Sequence, residues 1–297
     1  MSEHDWLAAR FEEHRARLRA VAFRMLGSLS EADDAVQEAW LRLSASDTSG
    51  IENLKGWLTT VVARLCLDVL RSRSSRREEP LEARVPDPII DREGAIDPEH
   101  EALLADSVGL ALLVILEKLA PAERLALVLH DMFGMPFDDI AAILGRSTAA
   151  SRQLASRARR RVQGAAAAPD VDLTGQREIV SAFIAAARSG DLDGLLAVLD
   201  PNVVLRADRG TLPSGASKVI RGSRAVAGQA LNSSRATRDD VSVKGALVNG
   251  AAGVVVFAGG EPFSVMGFTV AGGKIIAIDV LADPARLRQL DLTNCMT

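Results

Sequence analysis

Arg152, Gln153, Ser156, Arg157 and Arg160 recur through Phe137–Val162, FDDIAAILGRSTAASRQLASRARRRV, at spacings that bring them to one side of a helix. Arginine and glutamine side chains can bond the edges of bases bidentately in a DNA major groove. Arg146 and the remaining arginines can neutralise phosphates and hold the register of such a helix on the duplex. No aspartate or glutamate falls between Arg146 and Arg161. The chemistry these residue types offer is the reading of DNA.

A short helix, a tight turn and a second helix must position them. Ile140, Ala141 and Leu144 share one face of the first helix, and Gly145 can take the left-handed conformation that ends it. Ser147 can cap the second helix by accepting a bond from a first-turn amide. Leu154, Ala158 and Val162 then recur at four-residue intervals as an inward stripe, leaving the arginines outside. Arginine-rich helix ends also arise as solvated faces favoured by the helix dipole, but a merely soluble helix would interleave glutamates. The pattern fits a recognition helix.

The chain of 297 residues is long enough for two or three domains, each with its own core. Its formal charge of -4 is no signature of a general nucleic-acid binder, so DNA contact must come from local clusters. A second cluster is Arg64, Arg71, Arg73, Arg76 and Arg77. Cys66 sits inside a helical pattern and Cys295 near the end, which suggests neither a disulfide framework nor a metal site and points to a reducing cytoplasm. No apolar run reaches the roughly 18 residues that span a bilayer, and MSEHDWLAAR lacks the order of a signal peptide. No membrane association and no cofactor are expected.

Residues 6 to 77 read as three or four helices. Leu7, Phe11, Leu18, Ala22 and Met25 mark the first; Ser30 is expected to cap a second that buries Ala32, Ala35, Val36, Ala39 and Leu43. A third begins near Leu54 with the face Leu58, Val61, Val62, Leu65 and Val69. Pro80, Pro86, Pro88 and Pro98 among mixed charges mark a linker before a second helical block from about Glu99 to Gln163. After the stretch GAAAAPDVDLTG the character changes. Helices at Gly175–Arg188 and Leu192–Leu199 precede strand candidates at Val203–Ala207, Ser242–Val248, Val254–Ala258, Phe263–Val270 and Lys274–Val280. Helices followed by antiparallel strands predict an α+β domain, and Asn249-Gly250, Gly259-Gly260 and Gly272-Gly273 supply hairpin turns.

In order and motif the chain resembles the extracytoplasmic function class of bacterial RNA polymerase sigma factors. LGSLSEADDAVQEAWLRL is similar to that family's region 2.2, LKGWLTTVVARLCLDVLRSR to regions 2.3 and 2.4, and the helix-turn-helix to region 4.2. More narrowly, SxxASRQLASRARR and DLTGQREIV resemble the subgroup that fuses a SnoaL-like domain, with its cone-shaped NTF2-like fold, to the sigma core. That subgroup usually carries WLPEP in the linker and DGGGK in the C-terminal domain; here the corresponding residues are ARVPDP and Asp208, Arg209, Gly210, Thr211, Leu212. The expected division is therefore region 2 over 1–77, a linker over 78–98, region 4 over 99–165, a linker over 166–174 and a SnoaL-like domain over 175–297. Two all-α sigma domains and one α+β domain make up the expected multidomain fold.

The resemblance implies core RNA polymerase and promoter DNA as partners. It assigns Glu31, Asp33, Asp34, Gln37 and Glu38 to the polymerase, although acids near a helix N-terminus are also favoured by the helix dipole alone. The -10 element is read as single strand, whose unstacked bases need pockets and whose phosphates need cations. The loop from Ser49 to Leu54 would supply a base pocket with Asn53 foremost, while Lys55, Arg64, Arg71 and Arg73 would track the backbone. Trp57 is either a stacking wedge or a core residue. The -35 duplex would meet Arg146, Ser147, Arg152, Gln153, Ser156, Arg157 and Arg160.

The C-terminal domain is expected to regulate the sigma core through Asp208, Arg209 and Gly210, with a small-molecule ligand as a possible partner. Its fold class hosts enzymes and non-enzymes alike. All four histidines, His4, His14, His100 and His130, lie outside it, and the chain has no tyrosine. Asp208, Glu261 or Asp279 would have to carry acid-base duty, and none sits in a specific signature, so no catalysis is expected. Two other readings remain: a helix-turn-helix activator with a ligand-sensing NTF2-like domain, and a polyketide-type enzyme with an appended DNA-binding domain.

Overall fold

The computed structural model describes residues 3–46, 50–76, 83–91, 110–165, 172–210, 217–236 and 240–292. They form two units, one helical (3–46, 50–76 and 115–165) and one α+β (83–91, 110–114, 172–210, 217–236 and 240–292).

In the helical unit, α1 (Glu3–Leu26) packs against α2 (Leu29–Ser44) and α3 (Leu54–Arg76). The stripes expected on α1 and α2 are all buried. Ser30 is not the cap. It lies inside α2, whose N-cap is Ser28, and the two hydroxyls face each other at 3.2 Å. On α3 the buried stripe is Leu58, Val62, Cys66, Leu67 and Leu70, while Val61, Leu65 and Val69 are only half-buried. The reason is a second neighbour: α3 packs on later helices as well as on α1, which rotates its inward face toward small Cys66. Burial pushes the Cys66 thiol up to about 12, so it stays protonated and inert.

The second half of this unit runs through the end of α4 (Leu110–Glu117), α5 (Pro121–Leu127), a π-helical turn (Val128–Met132), α6 (Phe137–Leu144) and α7 (Thr148–Ala165). Arginines join the halves. Arg124, 1% exposed, donates from Nε to the Arg24 carbonyl at 2.9 Å and from a terminal nitrogen to Glu117 at 3.0 Å. Arg17 donates to the Phe133 carbonyl at 2.8 Å, and the Arg17 and Arg24 guanidinium groups lie 5.1 and 5.0 Å from the Phe133 ring centre.

The α+β unit is built on a seven-stranded sheet in the order β1-β4-β5-β6-β7-β2-β3. Its strands are β1 (Ile90–Asp91), β2 (Leu199–Asp208), β3 (Lys218–Arg221), β4 (Val241–Val248), β5 (Ala251–Ala258), β6 (Glu261–Ala271) and β7 (Lys274–Leu281). The three hairpin turns form as expected: both residues of Asn249-Gly250, Gly259-Gly260 and Gly272-Gly273 have positive φ, the geometry that matches strand twist. The sheet is not wholly antiparallel, because β2 and β7 pair in parallel across a long stretch of chain.

One face of the sheet is covered by α8 (Leu173–Ser189), α9 (Leu192–Val198) and α10 (Ser223–Ala236). Phe183 and Phe268 meet there edge to face, with ring centres 5.6 Å apart. Val85, Ile90, Leu110 and Val114 pack with Val255, Phe257 and Leu281 in a second core. The segment that composition marks as a linker is thus pinned where described: β1 pairs with β4, and Asn249 bonds Ile89 through both its backbone amide and its side-chain oxygen.

Candidate nucleic-acid interface

The recognition helix stands on a buried base. Gly145 ends α6 at φ 63°, and Ser147 Oγ accepts from the Ala150 amide at 3.2 Å, as the sequence predicts. Ser151, Leu154, Ala155 and Ala158 are buried, and Val162 is half-buried. With that side fixed, Arg152, Gln153, Ser156, Arg157 and Arg160 all face outward, as do Arg146 and Ser147 before the helix.

These arginines are not equivalent. Glu123 of α5, itself buried, pairs with Arg157 at 3.4 Å and with Arg161. Asp131 receives Arg159 in a fork of two bonds at 2.5 and 2.7 Å, which raises the Arg159 pKa through that hydrogen bonding. The missing acids therefore come from outside the helix. Arg152 is steadied differently, with its guanidinium 5.7 Å from the Phe137 ring centre, and Phe137 in turn stacks on His130 at 3.9 Å. Among the described residues, Arg146, Arg152 and Arg160 have no carboxylate partner.

On α3, Lys55, Arg64 and Arg71 are exposed, and Arg71 has only a 3.8 Å contact to Asp68. Arg73 instead donates to the Leu26 carbonyl at 3.1 Å and pairs with Glu31. Asn53 is exposed, and its side-chain oxygen caps α3 by accepting from the Gly56 amide at 2.9 Å. Trp57 is half-buried. Trp40 packs on Phe11 with ring centres 5.2 Å apart. Ser49 and Arg77 lie outside the described residues, as does the Arg76 side chain.

Of the acidic set, Glu31 is tied to Arg73, Asp33 accepts Arg19 at 2.6 Å, and Glu38 accepts Arg42 at 2.9 Å. Asp34 and Gln37 are exposed. The outward edge of α2 is a mixed lattice of charges, not the plain acidic face its composition suggests.

In the α+β unit, Asp208 is 3% exposed and fully engaged. One oxygen accepts from the Val85 amide at 3.0 Å and from Arg286 at 2.7 Å; the other accepts from the Gly210 amide at 3.1 Å and lies 3.4 Å from the Ser217 hydroxyl. Arg286 also holds Asp87 and the Val85 carbonyl. Burial works against the Arg286 charge, but Asp87, Asp208 and Asp283 outweigh it and hold its pKa above the ordinary value. Gly210 has φ 64°, and a Cβ there would stand 2.5 Å from an Asp283 oxygen. The ARVPDP and Asp208–Gly210 segments thus meet, whereas Thr211 and Leu212 lie outside the described residues. Asp279 is buried against Arg206 at 2.8 Å, and Glu261 is exposed at a hairpin. Among the described residues no group of acids, histidines or cysteines could hold a metal ion, and no helix is long and apolar enough to cross a membrane.

Comparison with known proteins agrees with this architecture. Residues 10–76 match sigma-70 region 2, and residues 109–162 match sigma-70 region 4. The chain is 38% identical over 292 residues to the probable ECF RNA polymerase sigma factor SigI of Mycobacterium tuberculosis, covering 98% of each. It is also 43% identical over 215 residues to SigJ of the same organism, covering 72% of this chain and 68% of SigJ. The crystal structure of SigJ superposes with a TM-score of 0.76 at 33% identity, over 96% of this chain and 99% of that one. The chain belongs to the extracytoplasmic function RNA polymerase sigma factors.

Proposed function

We propose that this chain is a dissociable subunit of RNA polymerase that selects promoters by reading a -35 duplex with α7 and a melted -10 strand with the loop before α3 and the outer face of that helix. One observation carries the reading: Arg152, Gln153 and Ser156 project together from a helix whose opposite side is locked in a core. Arg146 and Arg160 serve phosphates, Arg157 joins them only by leaving Glu123, and Ser147 sits where the helix start approaches the DNA backbone. On the other surface Asn53 meets a flipped base, Lys55, Arg64 and Arg71 follow the strand, and Trp57 borders the pocket. Arg73 contributes by holding α3 to α2. Asp33, Asp34 and Gln37, with the half-buried Glu31 and Glu38 beside them, face a basic helix of the polymerase in the cytoplasm.

The α+β unit acts as a built-in regulator, and the Asp208, Arg209 and Gly210 corner is its hold on the linker. The buried bonds from Asp208 and Arg286 to Val85 and Asp87 support this. Mixing the purified chain with sigma-free core polymerase and sequencing transcript 5′ ends from genomic DNA tests the first claim; shared upstream elements are expected, and scattered starts would refute it. Removing residues from 170 onward tests the second. The truncated chain should give an altered yield from the same promoters, and an unchanged yield would end the regulatory reading.

A further inference from the structure

Between α8, α10 and the sheet lies a cavity of about 520 Å³. Its walls are apolar, with Phe183, Leu205, Val256, Met266, Val280 and Leu287 among them. Phe263, 60% exposed, stands at its edge. Large exposed apolar side chains beside an apolar hollow mark a place where a molecule is received.

Among the described residues, the charged groups that line the cavity are all of one sign: Arg188, Arg209 and Lys218, with no aspartate or glutamate beside them. Lys218 sits opposite Ala207 in the β2–β3 pairing, which puts it and Arg209 at neighbouring strand ends. Arg188 comes from the last turn of α8. None of the three has a carboxylate partner among the described residues, although acids outnumber bases in the chain as a whole, 39 to 35. Two half-buried arginines of the same unit are paired, by contrast: Arg206 with Asp279, and Arg286 with Asp87 and Asp208. Cations that border an apolar hollow without carboxylates attract an anion whose remaining body is apolar.

We propose that this cavity binds a small amphipathic carboxylate, with its alkyl or ring body inside and its head group held at the rim by Arg209, Lys218 and Arg188. The arrangement selects against neutral molecules, which leave the cations unused, and against ammonium head groups, which they repel. The inference stands on the cavity alone and survives or fails independently of promoter selection, because binding is read without polymerase or DNA.

Titration calorimetry on the full chain, with octanoate, octanol and octyltrimethylammonium as probes, tests it. Octanoate should bind saturably with a Kd below about 1 mM, at least about tenfold tighter than octanol, and the ammonium should bind weakest. Arg209→Gln and Lys218→Gln should each weaken octanoate about five- to tenfold and leave octanol unchanged. Both positions lie at the rim, so unaltered thermal unfolding of the free variants checks that they fold. Octanol binding as tightly as octanoate would overturn the proposal in favour of a neutral ligand. No saturable octanoate binding up to about 1 mM would overturn it outright, as would full affinity in an Arg188→Gln, Arg209→Gln, Lys218→Gln triple variant.

Discussion

The recognition helix and α3 are both rich in arginine, yet they use it in opposite proportions to what composition suggests. α7 looks wholly cationic, but Arg157, Arg159 and Arg161 answer to Glu123 and Asp131, leaving Arg152 and Arg160, with Arg146 just before the helix, as the unpaired cations among the described residues. The described side chains of α3 offer fewer arginines, and Arg73 is drawn inward onto Glu31 and the Leu26 carbonyl while Arg64 and Arg71 stay outside. Arginine number is therefore a poor measure of phosphate contacts. What matters is whether the fold supplies an acid first, since an arginine already paired releases no DNA counterion when it binds.

The largest effect should come from a buried arginine that the proposed DNA contacts do not include. Arg124→Ala leaves Glu117 buried without its partner and removes the bond to the Arg24 carbonyl. Breaking such a buried pair costs about 3–5 kcal/mol, read as a shift in urea unfolding. Equal stability of the variant would contradict the structural half of the comparison. Arg152→Ala should act on reading alone. It should relax preference at one -35 base pair by about 1–3 kcal/mol in holoenzyme binding, with the unfolding curve unmoved. A uniform loss across all sequences would demote Arg152 to a phosphate contact. Arg73→Ala falls between the two: its pair with Glu31 is partly exposed, so a cost of about 1 kcal/mol in stability is expected, with promoter melting less affected than in Arg64→Ala.

The parts of this molecule that depend on near neighbours were legible in its sequence. Asn249-Gly250 and the two Gly-Gly pairs dictate their turns because φ is a local property, and the α2 stripe follows from helical period alone. Ser147 and Gly145 bound the recognition helix for the same reason. Long-range relations were not legible. The parallel β2–β7 pairing joins residues more than seventy positions apart, β3 is four residues with charged ends, and α10 has only Val226 and Leu231 as large apolar residues among serines and alanines. Within the candidate interface, Asn53 was singled out for its amide, but a cap was an equally good use of that side chain and the structure uses it so. Glu123 and Asp131 went unnoticed because nothing near them in sequence ties them to α7. Arg188 and Lys218 are thirty positions apart and line one cavity because α8 packs on the sheet.

The finest discrimination is between two adjacent residues, Arg159 and Arg160. Arg159 is forked onto Asp131, while Arg160 is exposed with no carboxylate partner among the described residues. Each phosphate neutralised by a free cation steepens the logarithmic salt dependence of duplex binding by about 0.9. Arg160→Ala should therefore reduce the slope by about that amount at every promoter tested with holoenzyme. Arg159→Ala should leave the slope nearly unchanged and cost at most about 1 kcal/mol of stability, because its pair is half-exposed. Equal slope changes would mean that Asp131 releases Arg159 when DNA arrives. The ion pairs on α7 would then be storage for its cations, and the recognition helix would be as basic in use as it is in sequence.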